Sequence, residues 1–129
     1  MEQWPISPAL RFEDLGEALD FYRDKLGFKL EQGEVDEGNL AVSFDHSRMM
    51  LEQGSTSFYG DSYNSAIKER IGNQSPNSLY LQSSDVDALY HRYQEAGVKI
   101  IDPIGDRPWG QREFTIEDPS GNWLSFWQR

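Results

Sequence analysis

Asp14-Leu15-Gly16-Glu17-Ala18-Leu19-Asp20-Phe21-Tyr22-Arg23-Asp24-Lys25-Leu26-Gly27 has a counterpart seventy residues on, Ser84-Asp85-Val86-Asp87-Ala88-Leu89-Tyr90-His91-Arg92-Tyr93-Gln94-Glu95-Ala96-Gly97. At this offset Ala18-Leu19 falls on Ala88-Leu89 and Gly27 on Gly97, and self-similarity at a fixed period marks a duplicated unit. In the first copy Asp14 stands three residues before Glu17, which resembles a reciprocal capping pair, and Leu15, Leu19, Tyr22 and Leu26 recur at helical spacing. In the second, Ser84 or Asp85 opens the helix and Val86, Leu89, Tyr90 and Tyr93 form its apolar stripe. Gly27 and Gly97 stand where a helix C-terminus favours a residue at positive φ.

After each helix the period changes from 3.6 to 2. Leu40, Val42 and Phe44 alternate with Ala41 and Ser43; Phe114 and Ile116 with Glu113, Thr115 and Glu117; Leu124 and Phe126 with Trp123, Ser125 and Trp127. These are half-buried strands. Asp118-Pro119-Ser120-Gly121-Asn122 is a hairpin turn, since Pro presets φ and Gly supplies the left-handed position. Each half therefore reads as a βαβββ module, residues 6–53 and 77–128 of one domain spanning 1–129. The connecting stretch 54–76, rich in Gly, Ser and Asn and carrying Phe58, Tyr59 and Tyr63, is longer than a connector needs; such loops bind something or link exchanged halves.

Composition narrows the function. A chain of 129 residues with 37 % hydrophobic content closes one modest core. Twelve Lys plus Arg against twenty-two Asp plus Glu leave a net charge of −10, which repels a phosphate backbone or an anionic membrane, so neither nucleic acid nor membrane is an expected partner. The absence of cysteine removes disulfides, thiolate catalysis and Cys-based metal sites. His46 and His91, the two imidazoles, fall in a turn and on the outer side of the second helix, as surface residues. An acidic start without an apolar region, and no run of membrane-spanning length, predict a soluble cytoplasmic protein. No serine sits in a nucleophile-elbow pattern, and the isolated glycines form no phosphate loop.

The duplicated unit carrying Leu10-Arg11-Phe12, Ala18-Leu19-Asp20-Phe21-Tyr22 and Leu26-Gly27-Phe28, and ending in Glu117-Asp118-Pro119-Ser120-Gly121-Asn122, resembles the vicinal oxygen chelate superfamily, which holds glyoxalase I, extradiol dioxygenases and bleomycin resistance proteins. The run Arg107-Pro108-Trp109-Gly110-Gln111-Arg112-Glu113-Phe114 is most similar to the bleomycin resistance branch. The resemblance implies an α+β fold: two tandem βαβββ modules forming a curved, barrel-like mixed sheet with the helices on the convex side, a concave face for metal or ligand, and dimers that often exchange modules. It also implies where the superfamily's enzymes would hold a divalent metal, and those places carry Ser7, Met50 (with Glu52 two residues on), Ser78 and Ser125. Three hydroxyls and a thioether do not replace His and Glu, so no metal or other cofactor is expected.

Residues two apart on a strand share a face. From those positions the concave face gains Ala9 and Arg11, Arg48 and Glu52, Tyr80 and Gln82, Trp123 and Trp127, while Leu10, Phe12, Met49, Leu51, Leu79, Leu81, Leu124 and Phe126 form an apolar convex set. Such a mixture of aromatic, polar and charged groups suits a small molecule. Trp109, between Pro108 and Gly110, has no periodic reason to be buried and joins the expected ligand-binding set; a satellite core or dimer contact is its alternative role. Glu52 reads as the only acid of the cleft, free to meet a ligand amine or to pair internally with Arg11 or Arg48. The leading expectation is a non-enzymatic homodimer that sequesters a cationic, glycopeptide-like antibiotic of the bleomycin type. Residues 1–53 hold twelve acids against five bases, a charge of −7 that favours such a ligand. A metal-dependent lyase or dioxygenase of the same fold, and a binder of an unrelated metabolite, are the alternatives.

Overall fold

The computed structural model describes residues 7–53, 65 and 77–129, so the expected connecting loop lies, apart from Ser65, outside the described residues. The first module runs β1 (Ala9–Phe12), α1 (Leu15–Leu19, continued by a π-helical stretch Asp20–Lys25), β2 (Lys29–Glu34), β3 (Asn39–Phe44) and β4 (Ser47–Gln53). The second runs β5 (Ser78–Gln82), α2 (Val86–Glu95), β6 (Ile100–Asp106), β7 (Arg112–Glu117) and β8 (Trp123–Gln128). Their strand orders are the same, β1-β4-β3-β2 and β5-β8-β7-β6. The outer pairs β1/β4 and β5/β8 are parallel and the rest antiparallel. This is the α+β arrangement of two βαβββ units; the sheets are mixed and neither closes on itself.

The duplicated sequence signals act through duplicated contacts. Asp14 accepts the Glu17 N–H at 3.0 Å and Asp85 accepts the Ala88 N–H at 3.1 Å, which settles Asp85 over Ser84 as the second cap. The last residue of each parallel partner strand, Gln53 or Gln128, accepts the first helical N–H, from Leu15 or Val86, and ties helix start to sheet. Measured from these caps the repeat is 71 residues, not 70: Tyr22 and Tyr93 each stand eight residues past their cap. The offset returns to 70 at Gly27 and Gly97, both at positive φ (82° and 75°). The extra residue of the first copy is taken up by the π-helical stretch, where the Leu26 N–H reaches Phe21 O at 2.9 Å, five residues back. Gly27 is required by its positive φ; a Cβ there would also displace the Arg92 guanidinium, the far end of a flexible side chain.

Both apolar faces and both helices share one core. Of the expected convex set, Leu10, Phe12, Met49, Leu51, Leu81, Leu124 and Phe126 are buried, and Leu79 is packed against them half-buried. Complete burial of a Leu or Phe side chain is worth about 1.5–3 kcal/mol relative to exposure. The two modules are joined by Phe44 on Phe126, with ring centroids 5.1 Å apart, and by two buried tyrosine hydroxyls. Tyr22 donates to Asp118 Oδ2 at 2.7 Å and Tyr93 donates to the Leu26 carbonyl at 2.6 Å. Asp118 in turn organises the expected hairpin turn by accepting the Ser120 and Asn122 N–H groups, both at 2.9 Å. Burial pushes both phenols up, Tyr22 further through the Asp118 charge.

Candidate functional site

The faces turned away from the core differ between the modules. In the first, register sets Ala9 opposite Met50 and Arg11 opposite Glu52 on β1/β4, and Ala41 opposite Met50 and Asn39 opposite Glu52 on β3/β4. Arg11 Nη1 lies 2.7 Å from Glu52 Oε1, and Asn39 donates to Glu52 Oε2 at 2.6 Å. Glu52 is only 4 % exposed, and a carboxylate taken out of water needs such neutralisation. Glu52 and Arg11 are thus brought together, while Arg48, opposite Ser43, is exposed. Ala41, expected on the half-open side of its strand, is fully buried, because so short a side chain lies below its cross-strand neighbours Met50 and Gln32.

In the second module the rows across β5, β8 and β7 read Ser78–Trp123–Glu117, Tyr80–Ser125–Thr115 and Gln82–Trp127–Glu113. Two indoles are tethered to glutamates of β7: Trp123 Nε1 donates to Glu117 Oε1 at 3.0 Å and Trp109 Nε1 to Glu113 Oε1 at 3.1 Å. The Trp123 hydrogen bond and Lys99, whose ammonium lies 3.1 Å from Glu117, hold the Glu117 carboxyl below its ordinary range. Thr115 and Ser125 share a hydrogen bond of 2.6 Å. Arg129 lies over the Trp127 ring, 5.7 Å from its centroid. Tyr80 is 64 % and Trp109 60 % exposed, and Trp123 and Gln82 also face outward.

Trp109 sits on the turn between β6 and β7. That turn is fastened by the Arg107 N–H to Gln111 O (2.7 Å), by the Gly110 N–H to Arg107 O (3.0 Å) with Gly110 at φ 88°, and by the Arg107 guanidinium on Asp102 at 2.9 Å. Arg112 at its far side grips Asp87 of α2 and Asp106, and holds the Asp87 carboxyl below its usual range. An indole exposed on a braced turn and anchored through its N–H is a preorganised stacking surface.

The expectation that Glu52 is the one acid of this face is corrected. Glu113, 4 % exposed, lies on the same side of β7 as Thr115 and Glu117 and under Trp109. Strand parity with Phe114 and Ile116 places it there, on a strand that carries none of the superfamily's metal positions. Asn39 and Thr115 were missed for a different reason, since their roles depend on cross-strand register, which a single strand pattern does not show.

The residues at the superfamily's metal positions do not fit a divalent ion. Ser125 is committed to Thr115, Met50 offers a thioether, Ser7 and Ser78 offer exposed hydroxyls, and the nearby Glu52 is engaged by Arg11 and Asn39. Among the described residues no group of three or more His, Cys, Asp or Glu is placed to hold a metal. Both histidines are exposed. No helix among the described residues is long and apolar enough to cross a membrane.

Comparison with known proteins bears on this geometry. A bleomycin resistance protein of Geobacillus stearothermophilus is 29% identical over 130 residues, covering 95% of this chain and 94% of its own. Among solved structures, TioX from Micromonospora sp. ML1 superimposes with a TM-score of 0.76 at 21% identity, covering 96% of this chain and 94% of its own. A bleomycin-binding protein of Streptomyces verticillus, solved with copper(II)-bleomycin, gives a TM-score of 0.65 at 23% identity, with coverage of 98% and 96%. A family model for the Glyoxalase/Bleomycin resistance protein/Dioxygenase superfamily matches residues 6–126, and the chain therefore belongs to that superfamily.

Proposed function

We propose that the protein binds and sequesters a cationic, partly aromatic small molecule of the bleomycin type without chemically altering it, as a cytoplasmic homodimer whose concave faces form the cleft. The observation that carries this reading is Trp109, exposed on a braced turn and tethered through its N–H to a buried carboxylate. Trp123, Trp127 and Tyr80 extend the stacking surface and Gln82 adds an amide at its edge. Arg11, Glu52 and Arg48 belong to the other wall, where the Arg11–Glu52 pair supplies a rigid polar floor rather than a free charge. The similarity to the Geobacillus resistance protein supports the ligand class, and the net charge of −10 favours the approach of a cation. The donor set at the metal positions favours a binder over a metal-dependent lyase or dioxygenase.

The test is a tryptophan-fluorescence titration with bleomycin, with and without EDTA, beside sedimentation equilibrium. Saturable quenching that EDTA leaves unchanged, and a mass twice the 14.9 kDa of the chain, are expected. Quenching that never saturates rejects sequestration. Stoichiometric divalent metal held by the protein itself before bleomycin is added returns the protein to the metal-dependent class, and a monomeric mass removes the dimer cleft.

A further inference from the structure

The two nearly buried glutamates of the open faces are not equivalent. Glu52 meets the Arg11 guanidinium at 2.7 Å. Glu113 is as little exposed, yet among the described residues no ion pair reaches it; its hydrogen-bond partner is the neutral indole N–H of Trp109. The neighbouring guanidinium groups are committed elsewhere: Arg107 to Asp102, Arg112 to Asp87 and Asp106, and Arg129 to the face of Trp127. Glu117, two residues along the same strand, has Lys99. A carboxylate withdrawn from water without a counter-charge is costly, and a cation arriving beside it regains that cost.

We infer that Glu113 is the specificity-determining residue of the proposed site: its carboxylate, flanked by the indoles of Trp109 and Trp127, takes the positive charge of the ligand. Trp109 holds Glu113 through its N–H edge and, being 60 % exposed, leaves its ring open to the same ligand, where a cation over an indole is itself stabilised. This assignment rests on the sequestration reading above. Glu113 has a second effect, since it fixes the Trp109 ring by accepting its N–H, and the two effects separate chemically. Gln at 113 keeps an acceptor for the indole and loses the charge; Phe at 109 loses the N–H and keeps both a ring and the Glu113 charge.

The experiment is a calorimetric titration of bleomycin into the full chain and into Glu113→Gln, Trp109→Phe and Glu95→Gln, with near-ultraviolet circular dichroism of each unliganded protein. Glu95 is exposed on α2, so its substitution repeats the change in net charge away from the site. The expected result is that Glu113→Gln keeps the wild-type aromatic spectrum and binds at least tenfold more weakly. Trp109→Phe should lose less than threefold, and Glu95→Gln should stay within twofold. Glu113→Gln binding within twofold of wild type overturns the inference and leaves sequestration standing. Trp109→Phe weakened as much as Glu113→Gln reduces Glu113 to a support for the ring and also overturns it. A wild-type protein that binds no bleomycin overturns both readings.

Discussion

The two modules share a skeleton and differ on their open faces. In each, an aspartate caps the helix, a terminal glutamine ties the helix to its sheet, and a tyrosine eight residues past the cap is buried between the modules. Across that common frame the first face carries Arg11, Glu52, Asn39, Met50 and the exposed Arg48, and Glu52, its buried acid among the described residues, is neutralised from within. The second presents indoles, a phenol and a buried acid with no cation of its own among the described residues. The difference separates two demands on one duplicated fold: the apolar side and the caps specify the chain path, and the opposite side is free to differ, one face closed by an internal ion pair and the other, on the reading proposed above, open to a ligand.

The sharpest way to break this comparison is to remove the internal cation. Arg11→Ala removes the guanidinium 2.7 Å from buried Glu52 and should cost about 3–5 kcal/mol in denaturant unfolding, whereas Glu113→Gln should leave stability within about 1 kcal/mol of wild type. Equal losses from the two substitutions would erase the distinction between the acids.

Next come the tyrosines. Tyr22→Phe deletes a hydrogen bond to a charged acceptor and should cost about 1.5–3 kcal/mol, while Tyr93→Phe deletes one to a carbonyl and should cost about 0.5–1.5 kcal/mol. Both phenols are raised in the folded protein, chiefly by burial. The sign follows from linkage: their contribution is complete below the unfolded tyrosine value of about 10 and is lost as pH climbs above it toward the folded values. Stability measured from pH 8 to 11.5 should therefore fall at the alkaline end, and each Phe variant should flatten the fall.

The caps should give the smallest contrast. Asp14→Ala and Asp85→Ala should each cost about 0.5–2 kcal/mol. Amide exchange should rise more in α1, a short helix running into a π-helical stretch, than in the ten-residue α2.

Much of the skeleton is legible in the sequence, because it is written in local patterns. The capping aspartates, the glycines at positive φ, the apolar stripes and the Asp118–Asn122 turn each follow from spacing within a few residues. The repeat offset reads one residue short at the caps, since the dipeptide Ala-Leu recurs at 70 and spacings of three and four residues both keep an apolar stripe on one helix face. The open faces were less legible. Parity placed Arg11, Glu52, Tyr80, Gln82, Trp123 and Trp127 on their strands, but the Arg11–Glu52 pair and the Trp109–Glu113 tether arise from register and turn geometry, which composition does not encode. The burial of Asp118 beneath Tyr22 joins residues 96 positions apart and depends on how the two modules pack.

The central claim is that the second module's open face, not the first, receives the ligand's aromatic and cationic groups. It is tested most directly by mapping amide and indole N–H chemical shifts while bleomycin is added to uniformly labelled protein. The expected result is that the largest changes fall on Trp109–Glu113 and Trp123–Trp127, with smaller ones on Ala9–Phe12 and Ser47–Gln53. Saturable binding with the order reversed, the largest changes centred on Arg11 and Glu52 and the Trp109 indole unmoved, would contradict it.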